Sequence, residues 1–338
     1  MWVPTLLFAS LSWVALGSTP ASLNKVQLSR GQGCPAPGGI EHGQVEHLAR
    51  YKCDPYYRLR SRGDGLYRCG QHDTWEDEAA GEELPVCEPV CGKPANPAIQ
   101  VQRIIGGMMA AKNSFPWQGR LLSQHNHTAG ATLISDQWLL TTGRNLYLGH
   151  SENAMLEEII PTLQVFLGQG TPAGAIERIV LHPQFPGAVD LALIKLKHKV
   201  PLGEAVMPIC LAQQDYVKVG RVGFVSGWGW TIFLEHPKHL KYVVLPVAAS
   251  DSCQEYYRAH AQQPLLNNHT FCVGVSELRE STCLGDAGGA FAVHDPEDDT
   301  WYAAGILSFD RSCLATKYGV YVRVLSAMDW IKETTGVL

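Results

Sequence analysis

Residues 285–289, which read Gly285-Asp286-Ala287-Gly288-Gly289, decide the fold together with the sequence around them. They lie in a large region, residues 104–338, in which short apolar runs alternate with turns rich in glycine, proline and asparagine. The clearest runs are residues 131–134, 138–142, 163–167, 192–196, 223–226, 303–307 and 319–324. Many short strands in one region predict an all-β sandwich or barrel. The spacing of Met328 and Ile331 predicts one amphipathic helix over residues 326–334 at the C-terminus.

Further motifs stand around this stretch in a fixed order. They are Arg103-Ile-Ile-Gly-Gly107, Phe115-Pro-Trp117-Gln118, Ala131-Thr-Leu-Ile134, Trp138-Leu-Leu-Thr-Thr142, Asp190-Leu-Ala-Leu-Ile-Lys195, Met207-Pro-Ile-Cys210, Gly227-Trp228-Gly229, Tyr318-Gly-Val-Tyr321 and Trp330-Ile331. Together they resemble the trypsin-like serine protease family over the whole of residues 104–338. The resemblance implies a pair of orthogonal six-stranded β-barrels.

The catalytic positions that the resemblance assigns are only partly filled. The family cleaves peptides with a serine nucleophile, a histidine base and an aspartate that orients the histidine. Asp190 fills the aspartate position, but Arg144 stands at the histidine position and Ala287 at the serine position. Arginine stays protonated and alanine has no nucleophilic atom, and losing serine or histidine alone costs on the order of 10⁶-fold in kcat. We therefore expect a pseudoprotease and no enzyme.

The substrate pocket of the family is also altered. By resemblance, Ser281 lies at its base, and Ser308-Phe309-Asp310 forms the wall that binds substrate backbone. Asp310 puts a charged side chain where the family has glycine. A new hydrolytic centre built from Asp190, Asp310 and Arg144 is the alternative, but nothing near these residues supplies a nucleophile.

Composition excludes several classes of protein. The chain has 338 residues, a net charge of −5 and no basic block, which argues against nucleic acid as the main ligand. Outside the N-terminus, no apolar run reaches the roughly 18 residues of a membrane span. Ten cysteines without a CxxC pair favour disulfides in an oxidising compartment over a metal site. We expect neither a metal nor a cofactor.

The N-terminus fits secretion. Residues 1–18 are predicted to be a signal peptide, since a short apolar stretch ends in small residues, and the alternative is the start of a buried strand or helix. Residues 19–32 are polar and predicted to be flexible. Because N-glycosylation takes place in the secretory pathway, we expect glycans at two sequons, Asn126 and Asn268. We expect His125 and His127, beside the first sequon, to be solvated loop residues rather than haem ligands.

A small module precedes the protease-like region. Cys34, Cys53, Cys69 and Cys87 enclose aromatic runs, glycine turns and Trp75. A segment this short needs disulfides, and four cysteines allow three pairings. The pattern resembles a complement control protein (sushi) module over residues 33–88; the alternative is another small disulfide fold. The resemblance implies the pairs Cys34–Cys69 and Cys53–Cys87, with residues 89–103 as a linker.

The other cysteines take their expected partners from the protease family. The resemblance implies Cys253 with Cys272, Cys283 with Cys313, and Cys91 with Cys210 as a tether between the linker and the domain. The family's disulfide beside the catalytic histidine is missing, because Ala129 and Asn145 stand at its two positions.

Activation chemistry is implied at a site in the linker. Arg103-Ile104 resembles the activation cleavage site, and in active relatives the freed ammonium pairs with the carboxylate at the position of Asp286. The alternative is that Asp286 only satisfies nearby backbone amides.

A narrower resemblance concerns partners. Its motifs are Val90-Cys-Gly-Lys-Pro94, His150-Ser-Glu-Asn153, Thr270-Phe-Cys272, Ala290-Phe-Ala-Val-His294 and Gly305-Ile-Leu-Ser-Phe-Asp310. They are similar to those of an inactive branch of the family that circulates in blood plasma. The resemblance implies capture of free haemoglobin, protection against haem-driven oxidation and iron loss, and clearance by a macrophage scavenger receptor. The alternative is a decoy or adaptor for complement or receptor signalling that does not bind haemoglobin.

Two features differ from that branch. Its longer lysine-rich receptor loop is replaced by a short segment without lysine, in which Arg258 and His260 are the expected receptor-binding residues. Many members also lack the third cysteine of the module and join two protomers through the first. Because Cys69 is present, we expect Cys34 to be bridged internally; no disulfide-linked dimer then forms by that route, and a non-covalent dimer stays open.

Overall fold

The computed structural model describes residues 48–69, 74–99, 108–123, 126–151, 153–168, 170–230, 237–275, 282–283, 285–310 and 318–337. All of these fall within a single unit, Leu48–Leu338. Several sequence predictions lie outside the described residues: the signal peptide 1–18, the segment 19–32, Cys34, the cleavage site Arg103-Ile104, His125, Ser281 and Cys313.

The described part of the N-terminal module, residues 48–69 and 74–89, forms two small antiparallel sheets. Its strands are β1 (Leu48–Arg50), β2 (Tyr57–Arg60), β3 (Leu66–Cys69), β4 (Trp75–Asp77) and β5 (Val86–Pro89). One sheet has the order β1-β3-β4, and the other pairs β2 with β5. The Tyr67 ring is fully buried and meets Tyr51 edge-on at 5.1 Å. A module with so small a core needs covalent support, and a disulfide between Cys53 and Cys87 supplies it. The resemblance implies this pair.

The rest of the described chain is also mostly β. Its strands are β6 (Met108–Met109), β7 (Gln118–Leu122), β8 (Thr128–Leu133), β9 (Trp138–Thr141), β10 (Gln164–Leu167), β11 (Thr171–Pro172), β12 (Ile176–Leu181), β13 (Ala192–Leu196), β14 (Cys210–Leu211), β15 (Val222–Gly227), β16 (Lys241–Pro246), β17 (Thr270–Val273), β18 (Ala290–Asp295), β19 (Thr300–Phe309) and β20 (Gly319–Arg323).

These strands form two sheets with a trypsin-like topology. Among the described residues, the first sheet has seven strands in the order β11-β10-β7-β8-β9-β13-β12. The second has eight: β17-β20-β19-β18-β15-β16-β6, with β14 added in parallel beside β19. The predicted all-β class is confirmed. The two-residue strands β6, β11 and β14 account for the excess over six strands per barrel.

A continuous apolar core joins the two sheets. Trp117, just before β7, lies 6.0 Å from Trp301 in β19, and the Trp301 ring meets Phe224 of β15 at 4.9 Å. All three side chains are buried, and burying a large apolar side chain stabilises the fold by roughly 1.5–3 kcal/mol. This packing fixes the sheets against each other, so that loops from both meet at one place.

Four short α-helices occur in the described chain. They are α1 (Gly143–Leu146), α2 (Leu156–Ile159), α3 (Ser250–Ala259) and α4 (Met328–Thr335), with 3-10 turns at Ile160–Thr162 and Val324–Ala327. The predicted C-terminal helix is confirmed as α4, although the residues before Met328 form a 3-10 turn. Gly336 ends α4 with a φ of 67°, a conformation that glycine adopts without strain.

Candidate functional site

The three triad positions come together where the two sheets meet. Arg144 lies in α1, directly after the buried strand β9, and Asp190 lies two residues before β13, the neighbour of β9. Ala287 lies in the turn before β18 of the second sheet. Local sequence sets this geometry, since the Thr142 hydroxyl accepts a hydrogen bond from the Asn145 amide at 3.3 Å and so caps α1.

Asp190 is a fully buried carboxylate with its oxygens satisfied from two sides. Its Oδ1 accepts a hydrogen bond from the backbone N–H of Arg144 at 3.0 Å, and its Oδ2 accepts one from the Ser308 hydroxyl at 2.7 Å. Burial raises the pKa of Asp190 above its ordinary value, and the hydrogen bonds from Ser308 and Arg144 oppose that rise only in part. The carboxylate thus ties α1 of the first half to β19 of the second.

Arg144 takes part in this arrangement through its backbone. Its side chain is exposed, whereas its amide is the group that donates to Asp190. A guanidinium does not deprotonate in a protein. The group at the base position therefore has no means of accepting a proton from a nucleophile.

Ala287 offers the site only backbone groups and a methyl group. Its carbonyl oxygen accepts hydrogen bonds from the Gly130 amide at 2.7 Å and from Asn145 Nδ2 at 2.7 Å. The next residue, Gly288, has a φ of 94°, and a Cβ there would overlap the Gly130 carbonyl oxygen. The turn thus keeps a tightly defined backbone without a hydroxyl group to attack a substrate.

Asn145 is a site residue whose role the sequence did not reveal. It stands where the family has a half-cystine, and the structure shows that its buried amide group donates to the Ala287 carbonyl and, at 3.2 Å, to the Thr141 hydroxyl. These hydrogen bonds link α1 to the Ala287 turn and to the end of β9. A polar residue directly after an apolar run was the available signal, but it does not identify the partners.

Asp286 accepts two backbone hydrogen bonds. Its Oδ1 accepts from the Gly229 amide and its Oδ2 from the Cys283 amide, both at 2.8 Å. A Cβ on Gly227 or Gly229 would overlap the carboxylate, so both positions require glycine. These contacts are the ones expected if Asp286 satisfies local amides; the other proposed partner, Ile104, lies outside the described residues.

Asp310, which the resemblance assigns to the wall of the substrate pocket, accepts a side-chain hydrogen bond. The Thr282 hydroxyl donates to its carboxylate. Thr282 is buried, and the neighbouring Cys283 is disulfide-bonded. Asp310 is therefore held by a buried residue at the position where the family has glycine.

The other predicted residues lie in the linker and in other elements of the fold. Disulfides join Cys91 to Cys210 and Cys253 to Cys272, as the resemblance implies. Asn126, Asn268 and His127 are exposed. Arg258 lies in the last turn of α3, and His260 Nδ1 is 2.7 Å from the Tyr256 carbonyl oxygen. Within the described residues, no group of three or more His, Cys, Asp or Glu side chains is arranged to hold a metal ion.

Comparison with known proteins extends the resemblance to the full chain. Residues 104–331 match the trypsin family. Haptoglobin from Pongo abelii is 52% identical over 340 residues, covering 97% of either chain. Haptoglobin from Oryctolagus cuniculus is 54% identical over 89% of this chain and 90% of its own, and that from Homo sapiens is 54% identical over 89% and 77%.

In the described part of the chain, no helix has both the length and the apolar character to cross a membrane. The match to the trypsin family, the geometry at Asp190 and Ala287, and more than 50% identity to haptoglobins over about nine-tenths of the sequence agree with one another. The chain therefore belongs to the haptoglobin family and carries a trypsin-like domain.

Proposed function

We propose that this protein is a secreted plasma protein that captures free haemoglobin and hydrolyses no peptide. The observation that carries the proposal is the identity of 52–54% with haptoglobins along nearly the whole chain, which includes the module as well as the trypsin-like domain. Binding haemoglobin limits haem-driven oxidation and iron loss, and a macrophage scavenger receptor clears the complex.

The absence of proteolysis follows from chemistry at the triad positions. Ala287 supplies no nucleophile and Arg144 supplies no base, and Asp310 puts a carboxylate where the family has glycine. Asp190 then serves as a buried structural carboxylate. A scaffold of this kind is free to present its loops to a protein partner rather than to a scissile bond.

Processing is part of the proposal. Residues 1–18 are removed as a signal peptide, glycans occupy Asn126 and Asn268, and cleavage after Arg103 yields two chains joined by Cys91–Cys210. Exposure of both asparagine side chains supports glycosylation. The new ammonium group of Ile104 pairs with Asp286, and deletion of Ile104 then lowers the melting temperature. An unchanged melting temperature would contradict this pairing.

Receptor recognition is proposed for the end of α3. The Arg258 side chain is exposed there, and the ring of His260 packs 4.3 Å from that of Tyr256, which fixes its orientation. A cation and an oriented imidazole are suitable contacts for an acidic receptor surface. Arg258→Ala and His260→Ala are expected to weaken uptake of the haemoglobin complex by macrophages without affecting its formation. If both variants are taken up as well as the wild type, this surface is not the receptor site.

Size-exclusion chromatography of the secreted, cleaved protein with haemoglobin tests the main proposal. We expect a co-eluting complex, and no turnover of an arginine ester substrate under conditions in which trypsin is active. If haemoglobin elutes separately, the proposal fails and a decoy or adaptor role becomes the better explanation. The same column shows whether the protein forms a non-covalent dimer.

A further inference from the structure

The turn that connects β2 to β3 carries a sequence that the proposed haemoglobin capture does not use. Residues 62–64 read Arg62-Gly63-Asp64, and the side chains of both charged residues are exposed. A cation and an anion separated by one glycine at the tip of a turn match the Arg-Gly-Asp signal by which extracellular proteins bind integrins. A given sequence of three residues often occurs by chance, so the conformation and contacts of the turn decide whether it can bind.

The turn is held in one conformation by its own polar groups. The Ser61 hydroxyl donates to the Gly63 carbonyl oxygen at 2.6 Å, and the Gly63 amide lies 3.1 Å from the same hydroxyl. Asp64 Oδ1 accepts a hydrogen bond from the Leu66 amide at 3.0 Å. A loop already ordered in this way loses little conformational entropy when it binds.

The buried carboxylate of Asp77 packs against Gly63 of the turn. Asp77 is 4% exposed and accepts hydrogen bonds from the amides of Ala79 and Ala80, each at 2.9 Å. These amides, helped by that of Gly65, hold the pKa of Asp77 below its ordinary value. A Cβ at Gly63 would overlap the Asp77 carboxylate, so the glycine of the tripeptide is required by the fold.

The side chains of Arg62 and Asp64 remain exposed and available to a partner. Arg58 and Arg60 precede Arg62 at alternate positions and point to the same side, but both pair with Glu88, at 2.7 and 3.8 Å. Within the described residues, Arg62 has no such ion pair. Its guanidinium can form two parallel hydrogen bonds with a carboxylate, and the Asp64 carboxylate is a suitable oxygen ligand for a divalent cation such as Mg²⁺.

We propose that the turn of residues 61–65 is an adhesion site for an integrin of the Arg-Gly-Asp-binding class. In the complex, the integrin's divalent cation is coordinated by the Asp64 carboxylate, and an acidic side chain of the integrin pairs with Arg62. The site lies in the N-terminal module and is separate from the triad positions of the trypsin-like domain.

A solid-phase assay tests this proposal with the full secreted chain and the purified ectodomain of an Arg-Gly-Asp-binding integrin. We expect saturable binding that requires Mg²⁺ or Mn²⁺, is abolished by a chelator and is inhibited by a linear Arg-Gly-Asp peptide. Asp64→Glu keeps the charge but displaces the carboxylate, so it should bind at least about tenfold more weakly, a loss equivalent to about 1.4 kcal/mol.

Two further variants separate recognition from folding. Arg62→Lys keeps the positive charge of an exposed side chain but loses the planar pair of donors, and it should also weaken binding. Asp54→Glu alters another exposed aspartate of the module and should bind as the wild type does. No binding by the wild type, binding in chelator, or equal binding by Asp64→Glu would each overturn the proposal. Haemoglobin binding is measured in a separate assay, so a failure of the proposed haemoglobin capture is distinguishable from a failure of the proposed integrin binding.

Discussion

Asp190 keeps its place in the site although its two triad partners are replaced. The amide of Arg144 and the hydroxyl of Ser308 donate to its two oxygens in a position fully withdrawn from water. Removing such an acceptor would leave two part-buried donors without this partner, and an unsatisfied donor costs about 1–3 kcal/mol when it is fully buried. Structural need alone is sufficient to retain this aspartate, whether or not the domain catalyses a reaction.

Asp190→Asn tests the electrostatic state of this side chain. Because burial raises the pKa of Asp190 in the folded protein, the native state binds this proton more tightly than the unfolded chain does. The contribution of Asp190 to the unfolding free energy is therefore present at low pH. It is lost as the pH rises from about 4, the ordinary carboxyl value, through the raised pKa. Asparagine has no such dependence.

Denaturant unfolding at a series of pH values measures the effect. The wild-type unfolding free energy minus that of Asp190→Asn should fall with rising pH, by at most about 1.4 kcal/mol per pH unit, the limit for one proton. Asp329→Asn, at an exposed carboxylate in the first turn of α4, is the matched control for the loss of one carboxylate. A difference that grows with pH would mean that the native pKa of Asp190 is depressed.

At the scale of elements, local sequence predicted the strands well. The apolar run at residues 192–196 is strand β13, and the run at 138–142 is β9 with one residue fewer. Helix α3 was not predicted, because its sequence is polar and only Cys253 and Tyr257 of it are buried. A helix with so narrow a buried face lacks the broad apolar periodicity by which helices are recognised.

Contacts between distant elements were beyond prediction. The Tyr57 hydroxyl at the start of β2 donates to Asp136 Oδ2 at 3.0 Å, although 79 positions separate the two residues. Asp136 is buried in the turn between β8 and β9 and also pairs with Lys199 Nζ at 2.8 Å. Nothing in the periodicity of either segment identifies the other as its partner. The triad positions were predictable because short local motifs mark them, whereas a contact such as Tyr57–Asp136 joins residues that are far apart in the sequence.

Tyr57→Phe is expected to loosen β2 from the trypsin-like domain. The variant leaves the buried Asp136 without one donor, which lowers the free energy of unfolding by about 1 kcal/mol, given that Tyr57 is half-buried. Hydrogen exchange of the amides in β2 and β5 should become faster, whereas Tyr56→Phe, at the exposed neighbouring tyrosine, should leave it unchanged.

Alkaline pH provides a second measurement of the same contact. Burial, and then the hydrogen bond to Asp136, raise the pKa of Tyr57 to about 12. A raised pKa means that the native state retains the proton longer than the unfolded chain, so the stability due to Tyr57 is lost as the pH rises from about 10 to about 12. The advantage of wild type over Tyr57→Phe should shrink over this interval. A constant difference would show that the hydroxyl is not bound to Asp136.

At the scale of the whole molecule, the linker is fastened to the trypsin-like domain by more than the disulfide at Cys91. The Lys93 ammonium group donates to the carbonyl oxygens of Asp298 and Asp299 at 2.6 and 2.7 Å. The backbone of Gly92 bonds to Pro208 and Trp301, at 2.8 and 2.9 Å. Cleavage after Arg103 would therefore leave residues 90–99 attached along their length, with Cys91–Cys210 as one contact among several.

The variant Cys91→Ala/Cys210→Ala, cleaved after Arg103, tests this attachment. We expect its two chains to separate on a denaturing gel without reductant but to elute together from a native gel-filtration column. Adding Lys93→Ala removes two hydrogen bonds of about 1 kcal/mol each and should raise the dissociation constant by at least about tenfold. Elution of two separate chains before Lys93 is altered would show that the disulfide alone joins them. Because the proposed integrin site lies on the shorter chain and the proposed receptor site on the longer one, such separation would also divide the two binding activities between two molecules.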